Sequence, residues 1–160
     1  AYIPASLWEA TIKRVKADLA DMKMGGVEDF TNFINAVIDE KSFDKLASFI
    51  EGAKADGQEI VAGGKYDKSK GYFIEPTLFA NVQDEMDIAR EEIFGPVMSV
   101  LKFKDVDEVV RRGNNSMFGL AAAVWTKDVS KAHHLAAKLR AGTVWVNCYH
   151  IVDTTTPFGG

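Results

Sequence analysis

Cysteine is almost missing from this chain: Cys148 is the only one in 160 residues. A single thiol excludes an internal disulfide and any multi-cysteine metal site, and it fits a reducing compartment. Positive charge is also short. Lys and Arg number 19 against 23 Asp and Glu, a formal net charge of −4. That balance argues against a nucleic-acid partner, whose electrostatic footprint would be basic. No uncharged apolar run approaches the length of a membrane span, and the N-terminus lacks a basic-then-apolar signal pattern. No GxGxxG or GxxxxGK(S/T) motif occurs, and Gly63-Gly64 lacks the following helix that a phosphate-holding loop needs. His133 and His134 are helix neighbours pointing in different directions, so they cannot converge on one metal. Repeats, low-complexity segments and linkers are absent.

What remains is a soluble globular composition, 47% hydrophobic and 26% charged, long enough to bury a sizeable core. Residues 1–160 are therefore expected to form a single domain. Its ends look like cuts through a longer polypeptide. The chain starts in the extended, apolar Ala1-Tyr-Ile-Pro4 without an initiator Met, and it stops at the turn signal Pro157-Phe-Gly-Gly160.

Ser6-Leu-Trp-Glu9 has a capping-box pattern, followed by Leu7, Ile12, Val15, Leu19 and Met22 at helical spacing, with Gly25-Gly26 as the stop. A polar-aromatic loop spans Val27 to Ala36. A second helix is expected from about Ser42, with Phe43, Leu46, Ile50 and Ala53 on one face and Gly57 ending it. Glu59 to Ala62 reads as a strand, Lys65 to Lys70 as a loop, and Tyr72 to Phe79 as extended chain with an edge or kink at Pro76. A strand over Val97 to Phe103 leads to a short helix from Asp105 to Gly113. Leu120 to Thr126 is apolar throughout, as a strand buried on both faces would be. Asp128 can cap a helix through Arg140, with Val129, Ala132, Leu135, Ala136 and Leu139 on its apolar face. Thr143 to Asn147 is a second buried strand. Alternating helices and apolar strands predict an α/β fold, a three-layer sandwich with a largely parallel sheet.

Two places could carry chemistry. Glu91-Glu-Ile-Phe-Gly-Pro96 puts adjacent carboxylates and an aromatic ring at a turn that needs only Gly and Pro. It is either a solvated acidic turn with a core Phe or part of a ligand site. In the second case a carboxylate would grip a ribose and a ring would pack on a flat heterocycle. Cys148 follows a buried strand near His150, so it is either a nucleophile with a nearby base or a structural thiol. Asn114-Asn-Ser116 reads as a helix-end loop, and the periodic Trp and Phe residues read as core.

Taken in order, Gly71-Tyr-Phe-Ile-Glu-Pro-Thr77, Glu91-Glu-Ile-Phe-Gly-Pro-Val97, Asn114-Asn-Ser with Gly119-Leu-Ala-Ala122, Ala141-Gly-Thr-Val-Trp-Val-Asn147 and Pro157-Phe-Gly-Gly160 resemble the aldehyde dehydrogenase superfamily. The series covers nearly the whole chain. Residues 22–79, with Asp29-Phe-Thr-Asn-Phe33 and Ala36-Val-Ile-Asp39, are most similar to the 1-pyrroline-5-carboxylate dehydrogenases of proline catabolism, which oxidise glutamate semialdehyde. Residues 82–160 resemble the general aliphatic and retinal enzymes.

The resemblance implies that Glu92 bonds a nicotinamide ribose and that Phe94 packs beside the nicotinamide of NAD, or of NADP. It implies that the loop from Tyr149 to Phe158 anchors an aldehyde substrate, with Phe158 as a tunnel wall and Val152 where aliphatic-type enzymes often carry an aromatic residue. Asp153 to Thr156 depart from the semialdehyde branch, and Cys148 aligns with a non-catalytic cysteine. The nucleophilic Cys, base Glu, oxyanion-hole Asn and dinucleotide-binding domain of the family would lie before Ala1, and the oligomerisation strand beyond Gly160. The family reaction runs through a cysteine thiohemiacetal and thioester to a carboxylic acid. This chain alone is therefore expected to carry no catalytic residue, to bind no cofactor tightly and to be inactive. The dinucleotide-binding domain and homo-oligomeric copies are its expected partners, in the cytoplasm or mitochondrial matrix. The alternative is a non-catalytic folding or assembly module derived from the family.

Overall fold

The computed structural model describes all 160 residues. They divide into two compact units, Ala1–Phe103 and Lys104–Gly160. No helix in either is long and apolar enough to cross a membrane.

In the first unit, β1 (Tyr2–Pro4) leads through a 3-10 turn (Ala5–Leu7) into α1 (Trp8–Asp21). The expected capping box does not form: Leu7 occupies the cap position and no side chain bonds there. Pro4 starts the 3-10 turn, so Ser6 lies inside that turn rather than at the helix cap. α1 also ends at Asp21, before the two glycines. Helix α2 (Glu40–Ala55) starts two residues earlier than expected because Asp39 caps it, accepting from the Ser42 N–H at 2.7 Å. Phe43, Leu46, Ile50 and Ala53, at spacings of three and four, are all buried.

That hydrogen bond holds the Asp39 carboxyl below its ordinary value, helped by the Ser42 side chain and the charge of Lys41. A depressed carboxylate adds stability above its ordinary value, and the gain is lost as pH falls through the folded value. An Asp39→Ala variant should therefore melt a few degrees below the parent at neutral pH, and the gap should close at acid pH. An equal gap at both would contradict a charge-dependent cap.

Strands β2 (Glu59–Ala62), β3 (Tyr66–Asp67), β4 (Phe73–Ile74), β5 (Thr77–Ala80), β6 (Val97–Ser99) and β7 (Leu101–Phe103) complete the unit, with α3 (Asp87–Arg90) before β6. Two expectations are corrected here. The segment 65–70 is not all loop, since β3 pairs antiparallel with β4. The single strand expected over 97–103 breaks at Val100. β6 runs parallel to β5, whereas β7 runs parallel to β1. Pro76 interrupts the extended segment, and β5, directly after it, is the central strand of the order β2-β5-β6. β2 is antiparallel to β5.

Alternation along β5 explains the layering. Phe79 enters a core with Phe43, Leu46 and Ile50 of α2, while Leu78 and Ala80 enter a second core with Trp8 of α1. Successive strand residues face opposite ways, so the sheet is covered by a helix on each face. Full burial of Phe79 and Leu78 contributes about 1.5–3 kcal/mol each.

The second unit contains α4 (Val106–Asn114), β8 (Ala121–Val124), α5 (Val129–Lys138) and β9 (Thr143–Val146). Asp105 caps α4 through the Glu108 N–H at 2.9 Å, and Asp128 caps α5 through the Lys131 N–H at 3.0 Å. β8 and β9 are parallel, joined through α5. Their burial is less than the apolar sequence suggests. Trp145 and Val124 are buried, but Ala121 and Val146 are exposed. A two-stranded sheet leaves each strand one unpaired edge, and α5 packs against both strands. Val129, expected on the apolar face of α5, is also exposed because it occupies the first helical turn.

Asn114 is more than a helix-end residue. Its amide donates to Lys138 O at 2.8 Å and accepts from Arg140 N at 2.8 Å, tying the end of α4 to the end of α5. Across both units three strand pairings are parallel and two antiparallel, an α/β fold.

Candidate nicotinamide contact and substrate loop

The turn 91–96 is tied to its surroundings although Glu91, Glu92 and Phe94 are exposed. It begins where the single turn α3 ends, with Glu91 N donating to Asp87 O at 2.9 Å. Ile93 is buried in the α2 core. Lys45 Nζ donates to the backbone carbonyl of Glu92 at 2.9 Å, and Thr77 N donates to Pro96 O at 2.8 Å. Gly95 packs on Leu46 so closely that a Cβ would collide with both Leu46 methyls.

With Ile93 pointing in, Glu92 and Phe94 point out. Phe94 is 82% exposed. The core-Phe reading of this motif is thus overturned, since the core residue is Ile93. Phe94 also sits at φ 62°, a left-handed conformation that costs a bulky residue about 1–2 kcal/mol. A strained backbone displaying an unburied ring has no stability rationale, and such strain gathers at functional positions. The pair offers a carboxylate with two acceptor oxygens beside an apolar ring face. Vicinal ribose hydroxyls are donors that a carboxylate can accept, and a flat heterocycle can pack on a ring.

The other site residues belong to the second unit. β9 is followed by Asn147, at φ 55°, whose side-chain amide accepts from Thr126 N at 2.8 Å and donates to Thr126 O at 3.0 Å. Tyr149 then stacks on His150 with centroids 4.5 Å apart and planes at 12°. Both rings meet the buried Trp145 edge-on, at 5.1 Å and 6.1 Å. Trp145 Nε1 donates to Ile151 O at 2.7 Å, pinning the start of the loop to β9. Tyr149, Val152 and Phe158 are all more than half exposed.

Asp153 is braced by Thr155, whose hydroxyl and N–H donate to it at 2.6 Å and 2.8 Å. Those bonds hold its carboxyl below the ordinary range. The structure thus gathers Glu92 with Phe94, and Tyr149 with three further rings. It places Val152 and Phe158 on the same exposed loop without a ring contact. Sequence reasoning missed His150 as a ring partner and Trp125 as a surface residue. Trp125 is 64% exposed and lies 6.5 Å from the Tyr149 ring. Cys148 is a half-buried free thiol, and His133 and His134 are exposed on α5.

Comparison with known proteins gives one answer. The family profile "Aldehyde dehydrogenase family" matches residues 1–160. Human mitochondrial aldehyde dehydrogenase is 45% identical over 159 residues, covering 99% of this chain and 31% of the relative. Chicken retinal dehydrogenase 2 is 44% identical, with the same 99% and 31% coverage. Among solved structures, an NAD+ complex of aldehyde dehydrogenase from Bacillus cereus superposes with a TM-score of 0.95 at 38% identity, covering 99% of this chain and 32% of that one. An indole-3-acetaldehyde dehydrogenase complexed with NAD+ gives 0.95 at 42% identity, with 99% and 32% coverage. The chain therefore spans about a third of the length of these relatives. The profile match along all 160 residues, together with this level of identity, shows that the chain belongs to the aldehyde dehydrogenase family.

Proposed function

We propose that this chain is the part of a nicotinamide-dependent aldehyde dehydrogenase that positions the nicotinamide end of the cofactor and closes around the aldehyde. The observation that carries the reading is Phe94, held at φ 62° and 82% exposed beside the outward Glu92. Both residues fit the cofactor chemically: the Glu92 carboxylate would accept from ribose hydroxyls, and Phe94 would pack beside the nicotinamide ring. When bound, NAD, or NADP, supplies the two-electron oxidant that takes an aldehyde to a carboxylic acid. The residues of this chain orient and enclose, and the nucleophile and base belong to the rest of the enzyme, as does the dinucleotide-binding domain. Homo-oligomeric assembly and a cytoplasmic or mitochondrial setting accompany the same reading.

The loop supports an apolar aldehyde. It exposes Tyr149, Ile151, Val152 and Phe158 around the anionic Asp153. An anion there repels a substrate carboxylate, which disfavours glutamate semialdehyde.

Replacing Phe94 by Gly in the full-length enzyme tests the assignment through opposed effects. Gly accepts φ 62° without strain and the lost ring is mostly solvated, so stability should rise by about 1 kcal/mol. Cofactor affinity should fall several-fold, because the ring no longer covers the nicotinamide. Unfolding in urea and calorimetric NAD titration measure the two. A stabilised variant with unchanged NAD affinity would remove Phe94 from the site.

A further inference from the structure

The ring stack at the start of the loop has a feature that the proposed roles of Tyr149, Val152 and Phe158 do not use. Consecutive side chains rarely face one another, because an extended chain directs neighbours to opposite sides. Here the Tyr149 and His150 rings lie 4.5 Å apart and 12° from parallel. His150 achieves this by adopting φ 58°, a conformation in which His is less disfavoured than most residues. Trp145, itself 8% exposed, abuts both rings edge-on and clamps Ile151 O through its indole N–H. Tyr149 is thus stacked on an imidazole and meets two indoles, Trp145 at 5.1 Å and Trp125 at 6.5 Å. More than half of it is still presented to solvent.

We infer that His150 is a positioning residue that orients the Tyr149 ring toward the aldehyde through this stack and so helps to set which aldehydes are accepted. The inference rests on the proposed substrate-anchoring role of the loop. Without the imidazole, one face of the Tyr149 ring loses its stacking partner, and only the Trp145 and Trp125 contacts, at 5.1 Å and 6.5 Å, still orient it. Aldehydes that rely on a flat wall are then held less well, while the bond-making groups, carried elsewhere in the enzyme, are untouched. An offset-stacked ring pair is worth about 0.5–1.5 kcal/mol beyond its burial, which corresponds to about a 2- to 13-fold change in affinity.

Three variants of the full-length enzyme separate the possibilities. His150→Asn keeps a residue tolerant of φ 58° but has no ring. His150→Phe keeps a stacking ring in a backbone position that suits it less. Tyr149→Ala removes the wall itself. The inference expects His150→Asn to raise the KM for bulky aldehydes about 3- to 10-fold with kcat within about twofold, and His150→Phe to restore it. The near-ultraviolet circular dichroism of Trp145 and Tyr149 should weaken in His150→Asn and recover in His150→Phe, independently of turnover. If His150→Asn behaves like the parent while Tyr149→Ala raises KM, the loop reading stands and the stacking role is overturned. If both His150 variants are impaired alike, the stack is again not the cause. If Tyr149→Ala itself leaves KM unchanged, the loop does not contact the aldehyde and the inference falls with it.

Discussion

Glu92→Gln should lower the affinity of the full-length enzyme for NAD about tenfold, and Glu92→Ala by as much as about 100-fold. A hydrogen bond to a charged group is worth about 1.5–3 kcal/mol, and each 1.4 kcal/mol is tenfold. Gln preserves shape and one acceptor but removes the charge, so it should be the milder change. Poor orientation of the nicotinamide end should also lower kcat, because small displacements of a reacting group are costly. Stability should barely move, since Glu92 is exposed and the turn is held by the backbone and by Ile93. Glu91→Gln is the internal control: the same charge is removed one residue away, and cofactor affinity should change little. Equal losses in both variants would point to general electrostatics instead of a specific ribose contact.

The largest stability effect is expected at Gly63. It has φ 72°, and a Cβ there would overlap the Pro76 carbonyl oxygen and lie 2.8 Å from Pro76 C and 2.9 Å from Thr77 Cα. These are backbone atoms at the entrance to β5, whose four residues are all buried. Thr77 Oγ1 accepts from Gly64 N at 3.0 Å and donates to Glu75 O at 2.8 Å, so the entrance cannot move alone. Left-handed backbone costs about 1–2 kcal/mol for Ala, and forcing atoms into a packed region adds about 1–3 kcal/mol. Gly63→Ala should therefore destabilise by roughly 2–5 kcal/mol, read as a lower urea midpoint at constant slope. Gly57→Ala isolates the backbone contribution. It shares a left-handed backbone, φ 73°, but faces open space, so only about 1–2 kcal/mol should be lost. Equal shifts for the two would show that the collision at β5 is relieved at no cost.

Helical periodicity and capping chemistry located α2, α4 and α5 to within two residues, because Asp39, Asp105 and Asp128 satisfy helix amides from side chains close in sequence. The four core residues of α2 were legible for the same reason. Ser6 misled because Pro4 begins a 3-10 turn, so local backbone geometry displaced the expected cap. The break at Val100 was invisible for a different reason. Val97 to Phe103 is mostly apolar and reads as one extended run, and what divides it is a change of partner from β5 to β1. The two partners are separated by most of the unit in sequence.

The sequence by itself determined the family and the α/β class, and it singled out the residues proposed for the cofactor and aldehyde contacts. Motif order and helix periodicity are local properties, written in residue types at fixed spacing. Tertiary structure alone decided that Ile93 goes in and Phe94 goes out, because that depends on which side of the turn α2 packs. It also decided that β5 is buried on both faces and that His150 turns back onto Tyr149. Each of these outcomes is set by groups distant in the chain or by a backbone torsion, and none is encoded in the spacing of neighbouring residues.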